Sequence, residues 1–158
     1  SKNFEFNIEN LLIDQPIYFK IYAAATSEIP TSMSVNFNGQ QLTNMYFGSI
    51  GEPILAAGSN YQSEVNSQSE NINITLDYNN SGNPSSIAYL DYISLKGTSS
   101  LVFNESQLIF YNDDLIIDSE NVTYQITNSA NINAIWDVTD ISNISEICLK
   151  LKSSKYFI

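Results

Sequence analysis

Residues 72–78 have the sequence INITLDY, in which apolar and polar side chains alternate without a break. The isoleucines, the leucine and the tyrosine fall on one side of an extended chain, whereas Asn73, Thr75 and Asp77 fall on the other. Successive side chains of a β-strand point to opposite faces. The alternation therefore predicts a strand with one face in a core and the other in water.

Similar segments recur on both sides of this strand, for example at residues 4–9 and 122–126, and give about ten short strands in all. No stretch keeps the period of an α-helix; Ile141, Ile144 and Ile147 allow one short helical turn at most. A chain of 158 residues with 43% hydrophobic residues is the size of one domain with a real core. We therefore predict an all-β fold, a two-sheet antiparallel β-sandwich of jelly-roll type.

Two hairpins are predicted from their turn residues. Asn38 and Gly39 separate two strand-like segments, 34–37 and 41–47. Asn-Gly accepts the positive φ angles of a type I′ turn, which matches the twist of the flanking strands. A second hairpin is predicted around residues 112–114, with residues 107–111 as its first strand.

The segment 86–96 has apolar residues in both alternating positions, which predicts a strand in the centre of its sheet. Asp91 lies in this segment, and a buried carboxylate needs a partner. A backbone group or a tyrosine hydroxyl is the expected partner, and a metal ion is the alternative.

The charge balance excludes several classes of function. The chain has six lysines, no arginine, seventeen acids and a formal net charge of −11. A phosphate backbone requires basic patches, so nucleic-acid binding is not expected, and an anionic membrane surface is disfavoured for the same reason. No apolar run approaches the ~18 residues of a membrane span. Acidity permits calcium, but it is also an ordinary route to solubility, and we expect no cofactor.

Catalytic side chains are scarce. The chain has no histidine and one cysteine, Cys148, which excludes Ser-His-Asp and Cys-His catalysis within it as well as an internal disulfide. Cys148 lies between Ile147 and Leu149, and we expect it to be a small buried hydrophobic residue.

The stretch 135–147 contains the chain's single tryptophan, Trp136, followed by Asp137 and Asp140. We predict a strand through Trp136 and Val138 that ends at a turn built on Asp140. The two aspartates could act as a carboxylate pair or bind a metal. The simpler reading is that Asp140 caps the turn and Asp137 faces solvent.

Aromatic residues are abundant, with ten tyrosines and eight phenylalanines. Exposed tyrosines and Trp136 could stack on sugar rings, as in carbohydrate-binding modules of jelly-roll type. Most of them lie in alternating patterns, and we expect most of them to be core residues.

Three segments resemble one known family. Residues 136–140 read WDVTD, residues 35–39 read VNFNG and residues 89–95 read YLDYISL. In order and spacing they are similar to segments of the PorU family, the gingipain-like cysteine peptidase sortases of the type IX secretion system in Bacteroidetes. The motif residues are Trp136, Asp137, Val138, Thr139, Asp140, Asp91, Tyr92, Asn38 and Gly39.

The resemblance implies a β-sandwich that precedes a peptidase domain, and that domain would supply the catalytic histidine and cysteine. No catalytic residue is carried over to this chain. Expected partners are the adjacent peptidase domain and, beyond it, cargo proteins or outer-membrane secretion components, at an extracytoplasmic cell surface. Residues 1–158 would be one module cut from a longer chain, with an apolar docking patch near Tyr156, Phe157 and Ile158.

Overall fold

The computed structural model describes residues 1–104, 106–111, 123–147, 150–152 and 155–157. The chain divides into two compact units, Ser1–Ser99 and Ser100–Ile158. The first unit carries the two larger stacked sheets, and the second is built from short strands. That residues 1–158 act as a single module stays a prediction.

The first unit is an antiparallel β-sandwich, as predicted. Among its described residues a four-stranded sheet has the order β1-β6-β3-β4, and a three-stranded sheet has the order β5-β2-β7. The strands are β1 (Lys2–Asn7), β2 (Ile17–Thr26), β3 (Thr31–Phe37), β4 (Gln40–Phe47), β5 (Ala57–Val65), β6 (Asn71–Asn79) and β7 (Ile87–Lys96).

The core fills the space between these sheets with the inward residues of each strand. On β2 every second residue from Ile17 to Ala25 is fully buried, and on β6 the predicted apolar positions Ile72 and Ile74 are buried as well. Burying one large aliphatic or aromatic side chain contributes roughly 1.5–3 kcal/mol. The alternation in the sequence therefore fixes which face of each strand enters the core.

The turn between β3 and β4 confirms the predicted Asn-Gly hairpin. Asn38 and Gly39 have φ angles of 48° and 81°. The Oδ1 atom of Asn38 accepts a hydrogen bond of 2.8 Å from the backbone N–H of Asn73, and its Nδ2 atom donates one of 3.3 Å to the Oγ atom of Ser67. Asn38 therefore fits the left-handed conformation and also attaches the turn to β6.

The prediction for residues 86–96 is wrong in one respect: β7 is the edge strand of its described sheet and not a central one. Tyr22 of β2 pairs with Tyr92 while the next residue, Ala23, pairs with Leu90, so Asp91 is the extra residue of a β-bulge. A bulge shifts the alternation by one residue. Both alternating sets of positions on β7 are apolar in the sequence, because the residues that face the core change from one set to the other at Asp91.

The second unit contains β8 (Leu101–Val102), β9 (Gln125–Thr127), β10 (Trp136–Asp137), β11 (Ser145–Glu146), β12 (Lys150–Lys152) and β13 (Lys155–Phe157). One sheet has the order β12-β13-β9-β8, and β10 pairs with β11. A 3-10 turn, Ser129–Asn131, precedes β10. Among the described residues no helix has the length and apolarity to cross a bilayer.

Two sequence predictions fall in or near the undescribed residues of this unit. Residues 107–111 are described and do not form the strand that was predicted there. The turn at 112–114 and its second strand lie outside the described residues, as does Cys148.

Candidate functional site

Residues 135–147, which contain Trp136 of the WDVTD motif, fold as a small hairpin. Trp136 pairs with Glu146 and Asp137 pairs with Ser145. The backbone N–H of Ile147 donates a hydrogen bond of 2.9 Å to the carbonyl oxygen of Ile135, which closes the open end of the hairpin. The predicted strand through Trp136 is confirmed, but it is only two residues long, and Val138 follows its end.

Asp140 organises the turn of this hairpin. Its Oδ1 atom accepts hydrogen bonds from the backbone N–H and the Oγ atom of Ser142, at 2.9 and 2.6 Å. Its carbonyl oxygen accepts one of 2.9 Å from the N–H of Asn143. The carboxylate of Asp140 thus accepts hydrogen bonds in the turn, beyond the last paired residues of β10 and β11. The expected capping role of Asp140 is confirmed.

Asp137 makes a similar local contact. Its Oδ1 atom accepts a hydrogen bond of 3.0 Å from the backbone N–H of Thr139, and its side chain is exposed, as expected. Hydrogen bonds from the backbone and then the side chain of Thr139 lower the pKa of Asp137. Those from the side chain and then the backbone of Ser142 lower the pKa of Asp140. Each bond favours the charged carboxylate, which suits a structural cap.

The hairpin also exposes apolar side chains. Trp136 and Val138 are each 55% exposed, Ile144 is 51% exposed and Ile141 is 87% exposed. We call these four residues the hairpin patch. Clustered exposed apolar side chains on a soluble domain mark an interaction surface more often than isolated ones do.

The other family-like residues lie in separate elements. Asn38 and Gly39 form the turn between β3 and β4, whereas Asp91 and Tyr92 lie at the bulge of β7. Asp91 is exposed, so the buried partner expected for it is not needed. Among the described residues no three acidic or cysteine side chains come close enough to hold a metal ion.

The expectation that most tyrosines are core residues is wrong. Six described tyrosines are well exposed, and they are Tyr18, Tyr22, Tyr46, Tyr89, Tyr92 and Tyr111. On β2 the inward positions are taken by Ile17, Phe19 and Ile21, so the tyrosines between them must face outward. The strict alternation of residues 17–22 carried this signal, because tyrosine tolerates water at its hydroxyl end and isoleucine does not.

These elements define the fold as a two-sheet antiparallel β-sandwich joined to a small second unit of short strands. A solved structure with the same fold is that of dimeric latent PorU from Porphyromonas gingivalis, with a TM-score of 0.72 and 11% sequence identity. The match covers 99% of this chain and 15% of that chain. The resemblance seen in the sequence is thus confirmed as a likeness of fold. No family model and no curated protein matches the chain.

Proposed function

We propose that this chain is a non-catalytic module of a cell-surface cysteine peptidase of the gingipain-like sortase type, where it scaffolds the peptidase domain or contacts cargo or secretion partners. The observation that carries the proposal is the extent of the match: nearly the whole chain corresponds to 15% of PorU. A module that occupies this share of a larger protein has neighbouring domains to contact.

The side chains available in this chain favour a non-catalytic role. It has no histidine for a Cys-His pair, and the two aspartates of the hairpin, Asp137 and Asp140, use their carboxylates to close local turns. The extracytoplasmic, outer-membrane-associated location belongs to the same proposal.

We infer that the hairpin patch is the surface that contacts the adjacent peptidase domain. Val138, Ile141 and Ile144 would lose water-exposed apolar area on docking, at roughly 25 cal/mol for each Å² buried. The rigid turn at Asp140 would present these side chains at low entropic cost, because its backbone is already fixed by hydrogen bonds. The docking patch predicted near Tyr156 and Ile158 stays a prediction, since those side chains are not described.

The test replaces Ile141 and Ile144 together by serine in the full-length native polypeptide. The expected result is faster cleavage by a probe protease between this module and the following domain, with the module itself still folded. Ile109→Ser is the matched control, because Ile109 is 75% exposed outside the hairpin. Equal cleavage of the double variant and the control would overturn the docking role.

A further inference from the structure

The outer face of the β5-β2-β7 sheet carries a row of tyrosines. Strand pairing places Tyr22 beside Tyr92, and Ala24 beside Tyr89, while Tyr18 lies two residues before Lys20 on the same face. The inward neighbours of these residues on β2 are fully buried, so the tyrosines point away from the core. We call this surface the tyrosine face. Its polar members on β5 and β7 are Asn60, Gln62, Glu64, Ser94 and Lys96.

Two rings at the centre of this face are held nearly parallel. The planes of Tyr22 and Tyr92 differ by 17°, and their centroids are 6.4 Å apart. The Nζ atom of Lys20 lies 5.9 Å from the centroid of the Tyr92 ring, within the range of a cation–π contact. The two rings thus lie nearly parallel on paired strands, with an ammonium group over one of them.

The position of Tyr22 depends on a glycine. A Cβ atom at Gly58 of β5 would collide with the hydroxyl oxygen of Tyr22, so the absence of a side chain lets the tyrosine extend over β5. Glycine inside a strand weakens it, and an aromatic ring across the sheet can cover the gap. The side chain of Tyr22 therefore extends over residue 58 of β5, while 37% of the residue stays exposed.

The tyrosine face has as many basic as acidic residues, although the chain as a whole is strongly acidic. The first unit has three lysines and nine acids. Two lysines, Lys20 and Lys96, lie on this face with Glu64 and next to Asp91, which leaves one lysine and seven acids for the rest of the unit. An uncharged ligand fits this balance. An anionic polymer would be disfavoured by the acidic surface around this face, since the chain has a formal net charge of −11.

We propose that the tyrosine face binds a neutral polysaccharide. The aliphatic faces of pyranose rings stack on Tyr22 and Tyr92, and sugar hydroxyls exchange hydrogen bonds with Asn60, Gln62 and Ser94. Flat aromatic surfaces flanked by amides and hydroxyls suit a ligand that has an apolar ring face and a polar rim. The inference stands independently of the peptidase proposal.

The test is native gel electrophoresis of the 1–158 chain with xylan, glucomannan, galactomannan or laminarin in the gel, and polygalacturonate as the anionic comparison. At least one neutral polymer should retard the chain, and Tyr22→Ala or Tyr92→Ala should weaken the binding about tenfold, equivalent to about 1.4 kcal/mol. Tyr22→Phe keeps the ring and should bind normally. Tyr46→Ala is the matched control, because Tyr46 is 73% exposed on β4 of the other sheet.

Three outcomes would overturn the proposal. They are no retardation by any neutral polymer, unchanged retardation of the two alanine variants, or stronger retardation by polygalacturonate. Circular dichroism of each variant separates lost binding from lost folding, and Tyr22→Phe supplies a folded variant if Tyr22→Ala unfolds.

Discussion

The hydroxyl group of Tyr22 on β2 lies directly over Gly58 on β5, in the space that a Cβ atom at residue 58 would occupy. One residue without a side chain and one exposed ring are thus matched across two strands. The relationship predicts that residue 58 controls the position of the ring more than the stability of the sheet.

Gly58→Ala should displace the ring of Tyr22 because the colliding atom is the free end of an exposed side chain. We expect the free energy of unfolding to change by less than about 1 kcal/mol, as for surface substitutions. Binding of the neutral polysaccharide should fall as far as it does in Tyr22→Ala. Gly48→Ala is the control, since a Cβ atom at residue 48 meets nothing. Unchanged binding by Gly58→Ala would contradict the role of the glycine.

Gly97→Ala should lower the stability of the sandwich, in contrast to Gly58→Ala, which should mainly move an exposed ring. A Cβ atom at residue 97 would lie 2.8 Å from the Cδ1 atom of Leu11 and 3.5 Å from the Cγ1 atom of Ile17, both core residues. Overpacking of this kind costs about 1–3 kcal/mol, and we expect a loss of that size in urea unfolding. Gly51→Ala, where a Cβ atom has open space, should leave the unfolding midpoint unchanged. Equal midpoints for the two variants would refute the packing argument.

Asn38→Ala should destabilise the sandwich. The substitution removes the acceptor for the N–H of Asn73 and places alanine at a φ of 48°. We expect a loss of about 1–2 kcal/mol, from the unpaired N–H and the strained turn together. Thermal unfolding measures it, with Asn44→Ala on β4 as the control that should change stability by less than about 0.5 kcal/mol. A loss no larger than that of the control would show that Asn38 is dispensable.

Acid should loosen the hairpin of the second unit. The pKa values of Asp137 and Asp140 are lowered in the folded state by bonds from Thr139 and Ser142. Their contribution is therefore present above the ordinary aspartate pKa of about 3.9 and is lost as the pH falls through the folded values. The protection of the Thr139 and Ser142 amides against hydrogen exchange, corrected for the intrinsic pH dependence of exchange, should fall as the pH drops through these lowered pKa values. In Asp140→Asn, which keeps an oxygen acceptor, the Ser142 amide should respond less to pH. An unchanged response would mean that the carboxylate does not hold the turn.

Local patterns in the sequence predicted the sandwich, the Asn38-Gly39 turn and the cap at Asp140, because each depends on neighbouring residues. The edge position of β7 was missed because the bulge at Asp91 arises from pairing with β2, which residues 86–96 alone do not encode. The tyrosine face was missed for a related reason. Alternation shows that Tyr18 and Tyr22 share a face, but only strand pairing brings Tyr92 beside them and Gly58 beneath one ring.

The size of the native polypeptide tests the proposed function most directly. Immunoblotting and peptide mapping of cell-envelope fractions would measure it. We predict a product several times larger than 17.7 kDa, with peptides that continue past Ile158 into a domain containing histidine and cysteine. A native product of about 17.7 kDa would contradict the peptidase-module account.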